Sequence, residues 1–250
     1  MSQAQSWLLS GRNMMIEVKH FKIVFLLLFL LCIACSKNEN SYFPLNKGVK
    51  WQYDVALITR DGLLNQKYFF NNLGEGELNG NPVYLRQSID GSILYYSSSE
   101  EGIHYLGNID SQSLHSEFTE DKQLILPNEL SVGSEWEEKT VTRLLKKTGP
   151  PQKTVFKIIA EIPLEVKIES LNETVTVPAG RFTNCMKISM DGFVFKDAGN
   201  YIGLTMVSVE QSNWYAPGVG LVKMERKETT QRKALDKGTL LVELVKFESD

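Results

Sequence analysis

Glu173-Thr-Val-Thr-Val-Pro-Ala-Gly-Arg-Phe-Thr-Asn-Cys-Met-Lys-Ile-Ser-Met190 writes a strand, a turn and a second strand in a single line. Val175 and Val177 share one face of an extended segment and Thr174 and Thr176 the other, because successive side chains of a strand alternate. Val177-Pro178-Ala179-Gly180 puts proline second and glycine fourth in a four-residue turn, which suits type I. Met186, Ile188 and Met190 then resume a period of two. In a regular strand Cys185 points with Lys187 and Ser189 to the less apolar side, and a bulge at Asn184 reverses that facing. Nothing in this stretch is catalytic.

The same grammar extends in both directions. From Thr154 to Glu169, Phe156, Ile158, Ala160, Ile162, Leu164, Val166 and Ile168 alternate with a mostly charged set, so a long strand with one buried face is expected. Pro163, on the wet face, cannot donate to a ladder and predicts a sheet edge or a local bend. In Trp214-Tyr215-Ala216-Pro217-Gly218-Val219-Gly220 proline precedes glycine at the central turn positions, which suits type II. Upstream, short β-branched and aromatic runs are punctuated by Asp61-Gly62, Asn79-Gly80, Asp90-Gly91 and Glu101-Gly102 and read as consecutive hairpins. Asp110 to Lys122 is polar and fits a loop or a short helix. Gly48-x-x-Trp51 recurs as Gly133-x-x-Trp136, which suggests two related sheet halves, each opened by a turn glycine and a packing tryptophan. The expected fold class is all-β, mainly antiparallel, with little helix.

The N-terminus reads as an address. Ile23 to Ala34 is an apolar run behind Lys19, His20 and Lys22, too short to span a membrane and of the right length for a signal peptide. Leu31-Cys32-Ile33-Ala34-Cys35 resembles a bacterial lipobox with Cys35 as the acylated residue, although Cys32 stands where leucine is usual. Ser36 after that cysteine, in place of aspartate, implies the outer membrane of a Gram-negative bacterium, facing the periplasm. The expected organisation is an N-terminal extension over 1–13, a lipoprotein signal peptide over 14–34, the lipidated cysteine and a tether over 35–41, and one β-barrel-like domain over 42–250. Removing residues 1–35 takes three basic and one acidic residue from totals of 27 and 30, leaving a formal charge of −5. That balance argues against nucleic acid as a partner. Only Cys185 is then left as a thiol, so no intramolecular disulfide is expected.

Three stretches carry a family resemblance. Tyr42-Phe43-Pro44-Leu45-x-x-Gly48-x-x-Trp51-x-Tyr53, Val175 to Cys185 with its Pro178 and Gly180 turn, and Trp214 to Lys223 with Pro217, Gly218 and Gly220 together resemble the TapB-like group of bacterial envelope lipoproteins. The resemblance implies a curved, incompletely closed antiparallel β-barrel similar to the lipoprotein carriers LolA and LolB. It carries over no catalytic residue. Its motifs are turn and packing residues.

His104 and His115 have no Asp, Glu or Cys at metal-ligand spacing, so no metal or cofactor is expected. No Gly-x-Ser-x-Gly elbow and no phosphate loop is present, and the chain reads as a non-enzyme. Lys187 beside Cys185 would lower its pKa, whereas burial would leave that thiol inert. Arg143, Lys146, Lys147 and Lys153 flank Thr148-Gly149-Pro150-Pro151 as a solvated hairpin tip or a contact for anionic headgroups. The expected function is a membrane-anchored, non-catalytic binding or assembly module that holds a lipid or apolar segment in its barrel. The alternative is a scaffold that pairs with another envelope protein through a sheet edge, and the third reading is a hydrolase, which a cluster of His104 with Asp or Ser in a cleft would favour. No ligand-binding residue is legible in the sequence.

Overall fold

The computed structural model describes residues 41–60, 62–111, 116–149, 154–199, 202–232, 235 and 237–249. The expectations for the signal peptide, Cys35, His115 and Lys153 fall outside them. Among the described residues the chain is all-β, without helix. The strands are β1 (Lys50–Thr59), β2 (Gly62–Leu78), β3 (Asn81–Ser88), β4 (Ile93–Ser98), β5 (Gly102–Ile109), β6 (Ser116–Pro127), β7 (Glu135–Val141), β8 (Lys146–Gly149), β9 (Thr154–Lys157), β10 (Glu161–Val177), β11 (Gly180–Asp197), β12 (Leu204–Ala216), β13 (Gly220–Thr230) and β14 (Gly238–Glu248).

Twelve of them form one antiparallel sheet in the order β6-β5-β4-β3-β2-β1-β14-β13-β12-β11-β10-β7, and β8 and β9 pair separately. The sheet curls until its two edge strands, β6 and β7, lie side by side without a hydrogen-bond ladder. The result is a nearly closed barrel with one unsealed seam. Nine of the eleven neighbouring pairs in the sheet are also consecutive in sequence, because connections of two to seven residues return each strand beside its predecessor.

The turns follow their residues. Asn79 and Gly80 both have positive φ, 53° and 81°, as a type I′ hairpin between Leu78 and Asn81 requires. Gly218 has φ 72° and the Val219 amide donates to the Ala216 carbonyl at 3.1 Å, the type II geometry expected of Pro217-Gly218. Pro178 and Ala179 form the two-residue turn joining β10 to β11, with Val177 opposite Gly180. The Gly-x-x-Trp echo is real in three dimensions. Gly48 and Gly133 have φ 87° and 89° and open β1 and β7, which carry Trp51 and Trp136.

Two expectations are corrected. The strand predicted over 154–169 is interrupted at residues 158–160, so β9 turns off to pair with β8 while β10 carries the alternation onward. Ile162, Leu164, Val166 and Ile168 are at most 2% exposed and pack with Met186, Ile188 and Val207 inside the barrel. The polar stretch from Asp110 gives neither a helix nor a loop throughout, since Ser116 already begins β6, an edge strand that tolerates polar residues on both sides.

Pro163 lies opposite Lys139 of β7, and the β10–β11 pairing begins only at Glu165. There the two strands approach so closely that a Cβ on Gly192 would stand 2.1 Å from the Pro163 carbonyl oxygen. Gly192→Ala is therefore expected to destabilise the domain by at least ~2 kcal/mol in urea unfolding. Gly76→Ala, whose methyl would meet the movable Leu85 Cδ1 at 2.8 Å, is expected to cost less.

Candidate functional site

The sequence-predicted site residues do not converge. Cys185 is fully buried, because Asn184 takes φ 54° and the strand bulges, so that Cys185 and Met186 both turn inward to different clusters. Burial is the leading reason its thiol pKa is raised, which makes it the inert cysteine of the two readings. His104 is 6% exposed, with Nε2 3.5 Å from Glu101 and Nδ1 without a hydrogen bond. Among the described residues no group of three His, Cys, Asp or Glu is placed to hold a metal. Arg143 serves through its backbone amide.

The polar chemistry instead gathers inside the barrel, at its two ends and its seam. At the end where β1 begins, the Arg86 guanidinium on β3 lies over three rings, with centroids 4.5 Å away at Trp51, 4.6 Å at Phe43 and 5.3 Å at Tyr96. Its Nε donates to Asn72 Oδ1 at 2.8 Å and its terminal nitrogen to the Pro44 carbonyl at 3.0 Å, which also accepts from Asn72 Nδ2 at 2.9 Å. The segment 41–49 is thereby drawn across the opening, with the Phe43 ring tilted 59° against Tyr96. Trp51 Nε1 donates to the Val219 carbonyl at 2.7 Å and the Gly218 amide to that of Ser41, so the Pro217 turn locks the same end. Burial pushes the phenols of Tyr53 and Tyr96 up, with the charge of Arg86 opposing it, so both remain neutral, and Tyr53 donates to the Leu221 carbonyl at 2.9 Å.

At the opposite end a carboxylate does the corresponding work. Glu228 on β13 has no exposed surface and accepts from the backbone amides of Arg143 and Leu144, the latter at 2.9 Å. Arg226 donates to Glu228 Oε1 from Nε at 3.0 Å and from its terminal nitrogen at 2.8 Å, and reaches Thr140, Gln211 and the Val141 carbonyl. The strap 142–145 is thus fastened over the opening, with Leu144 and Leu145 buried beneath it. Gly238 is needed there, since a Cβ would lie 2.7 Å from Leu144 Cβ. Removing one member of such a buried pair costs far more than replacing both, because it strands the other charge. Glu228→Gln is expected to lose about 3 kcal/mol of stability, and adding Arg226→Met to recover part of it, in urea titrations of the single and double variants.

The seam is bridged by side chains. Gln123 on β6 donates to Glu138 Oε2 at 3.2 Å and to the Lys139 carbonyl at 3.3 Å, while Trp136 Nε1 reaches Glu138 Oε1 at 3.2 Å. Both bonds favour the ionised carboxylate, yet burial outweighs them and pushes Glu138 up to about 7. A carboxyl protonated more readily folded than unfolded contributes stability that is complete below its ordinary range and is lost as pH rises through about 7. Between about pH 5 and pH 8 the unfolding free energy should fall by on the order of 1–3 kcal/mol, and Glu138→Gln should flatten that slope.

Sequence reading missed Arg86, Glu228 and Glu138. Each was legible only as a charged residue within an alternating strand, on the face that the neighbouring apolar residues mark as inward.

Among curated proteins nothing matches the chain. Solved structures similar to it include a protein named as exported, with a YmcC-like fold, from Bacteroides fragilis NCTC 9343. It is 15% identical with a TM-score of 0.47, over 84% of this chain and 100% of that one. A protein named as a lipoprotein from Parabacteroides distasonis ATCC 8503 is 14% identical with a TM-score of 0.40, over 84% of this chain and 99% of that one. The DUF3108-like family model matches residues 102–234, from β5 to just past β13 and more than half of the 250 residues. The chain belongs to the DUF3108-like family.

Proposed function

We propose that this chain is an outer-membrane-anchored lipoprotein of the bacterial envelope, of the TapB-like kind. Its barrel acts as a non-catalytic scaffold that works through its outer surface and sheet edges. The anchoring part of the reading rests on the lipobox-like Leu31 to Cys35 and on Ser36 after it.

The observation that carries the scaffold reading is a barrel occupied by its own side chains. Ile162, Leu164, Val166, Ile168, Ile188 and Val209 fill the middle, Arg86 with Phe43 stops one end, and Glu228 with the 142–145 strap stops the other. A carrier needs an apolar cavity of roughly 300 Å³ or more on the inside. Hollows of about 420 and 430 Å³ open on the outer face of β1, β2 and β14, beside Lys50, Phe69 and Lys246 in one case and Ala56, Lys67 and Leu241 in the other. Carriage of a lipid or apolar segment is the second reading, and the unladdered seam between β6 and β7 favours it.

Native mass spectrometry with lipid extraction separates the two, applied to residues 36–250 exported to a bacterial periplasm without the anchor. The scaffold reading expects a bare polypeptide mass, unchanged when envelope lipids are added back. A co-purifying apolar species of defined mass would overturn it in favour of carriage.

A further inference from the structure

The first half of β2 is a sheet edge left open. β1 pairs with β2 from Thr59 opposite Gly62 to Lys50 opposite Asn71, whereas β3 begins its pairing with β2 only at Phe70 opposite Ser88. Leu63 to Phe69 therefore have a described strand partner on one side alone. All seven residues are exposed, including Leu63 at 62%, Leu64 at 51%, Tyr68 at 39% and Phe69 at 38%. Exposed edges of soluble proteins are ordinarily defended by charge, proline or a bulge. Here the defence is one lysine, Lys67.

Leu63-Leu64-Asn65-Gln66-Lys67-Tyr68-Phe69 has a further property: apolar, apolar, polar, polar, polar, apolar, apolar reads the same in both directions. An antiparallel copy centred on Gln66 sets Leu63 against Phe69, Leu64 against Tyr68, Asn65 against Lys67, and Gln66 against its own counterpart. Apolar residues then meet apolar ones on both faces, and the two lysines never stand opposite each other.

The ends fit as well. The open run is bounded at one end by the β1–β2 turn, where the chain leaves at Gly62, and at the other by Ser88 of β3. A two-fold axis through Gln66 brings the β1–β2 turn of each copy to the point where β3 of the other ends. A foreign strand would need no such palindrome.

We propose that Leu63 to Phe69 is a self-association edge, through which two copies of this chain join their sheets as antiparallel strands about a two-fold axis at Gln66. This is an isologous interface, the usual form of a homodimer. It rests on the reading that the sheet edges are the working surface, and it names which edge and which partner.

The test uses the full chain in its membrane. Gln66→Cys places two thiols opposite each other across the axis, and mild oxidation is expected to give a disulfide-linked dimer on a non-reducing gel. Lys227→Cys, at an exposed position on β13 away from the edge, and the unsubstituted chain are the controls. Gln66→Glu, which opposes two carboxylates at an exposed site, is expected to weaken self-association by roughly fivefold in detergent sedimentation while the unfolding midpoint stays unchanged. Cross-linking at Gln66→Cys no greater than at Lys227→Cys, or capture of a different protein there, would overturn the proposal. A bound lipid in the extraction experiment would sink the scaffold reading and leave a Gln66-linked dimer standing, so the two failures are distinguishable.

Discussion

Everything at the end of this barrel where β1 begins depends on the Arg86 guanidinium. A curled sheet leaves an opening at each end, and an inward-facing charge there has to be satisfied without water. Arg86 does this with its planar geometry, stacking on Phe43, Trp51 and Tyr96 while its edge donates to Asn72 and Pro44. A lysine could supply the charge but neither the flat stacking surface nor the two directed bonds. The segment 41–49 is in this way made part of the core, and the orientation of the chain as it enters β1 is set by the same contact.

The far end solves the same problem with the opposite charge. Glu228 is held by Arg226 and by two backbone amides of the strap between β7 and β8, so the long β8–β9 excursion is tied to the barrel although it pairs with no strand of the main sheet. Buried ion pairs are weak evidence for stability, and their best-attested use is to specify one arrangement among several. That role suits a strap that could otherwise leave the opening uncovered. The interior consequently has an apolar middle and a charged stop at each end.

Much of the fold was legible because hairpin grammar is local. Asn79-Gly80 and Pro217-Gly218 demand particular backbone angles, and those angles are present. Val177-Pro178-Ala179-Gly180 likewise joins two strands of 17 and 18 residues as its flanking alternation implies. The failures were also local in origin. Alternation alone could not show that β9 leaves the line at residues 158–160, since Ile158 and Ala160 keep the period while the hydrogen bonds change partner. The facing of Cys185 turned on whether Asn184 bulges, a choice between two backbone states of similar energy that cross-strand pairing decides.

By itself the sequence determined that this is an all-β chain of consecutive hairpins, where most of its turns fall, which strand faces are apolar, and that its N-terminus reads as a lipid-anchor signal. Those properties depend on residues no more than a few positions apart. Only the tertiary structure decided that Arg86 meets rings contributed by the entry segment, β1 and β4, that Glu228 meets a strap 85 residues earlier, and that β3 ends too soon to cover Leu63 to Phe69. Each of these is a matter of how far the sheet curls and where its strands end. Curl and strand length are set by summed packing across twelve strands, and no local pattern contains that sum.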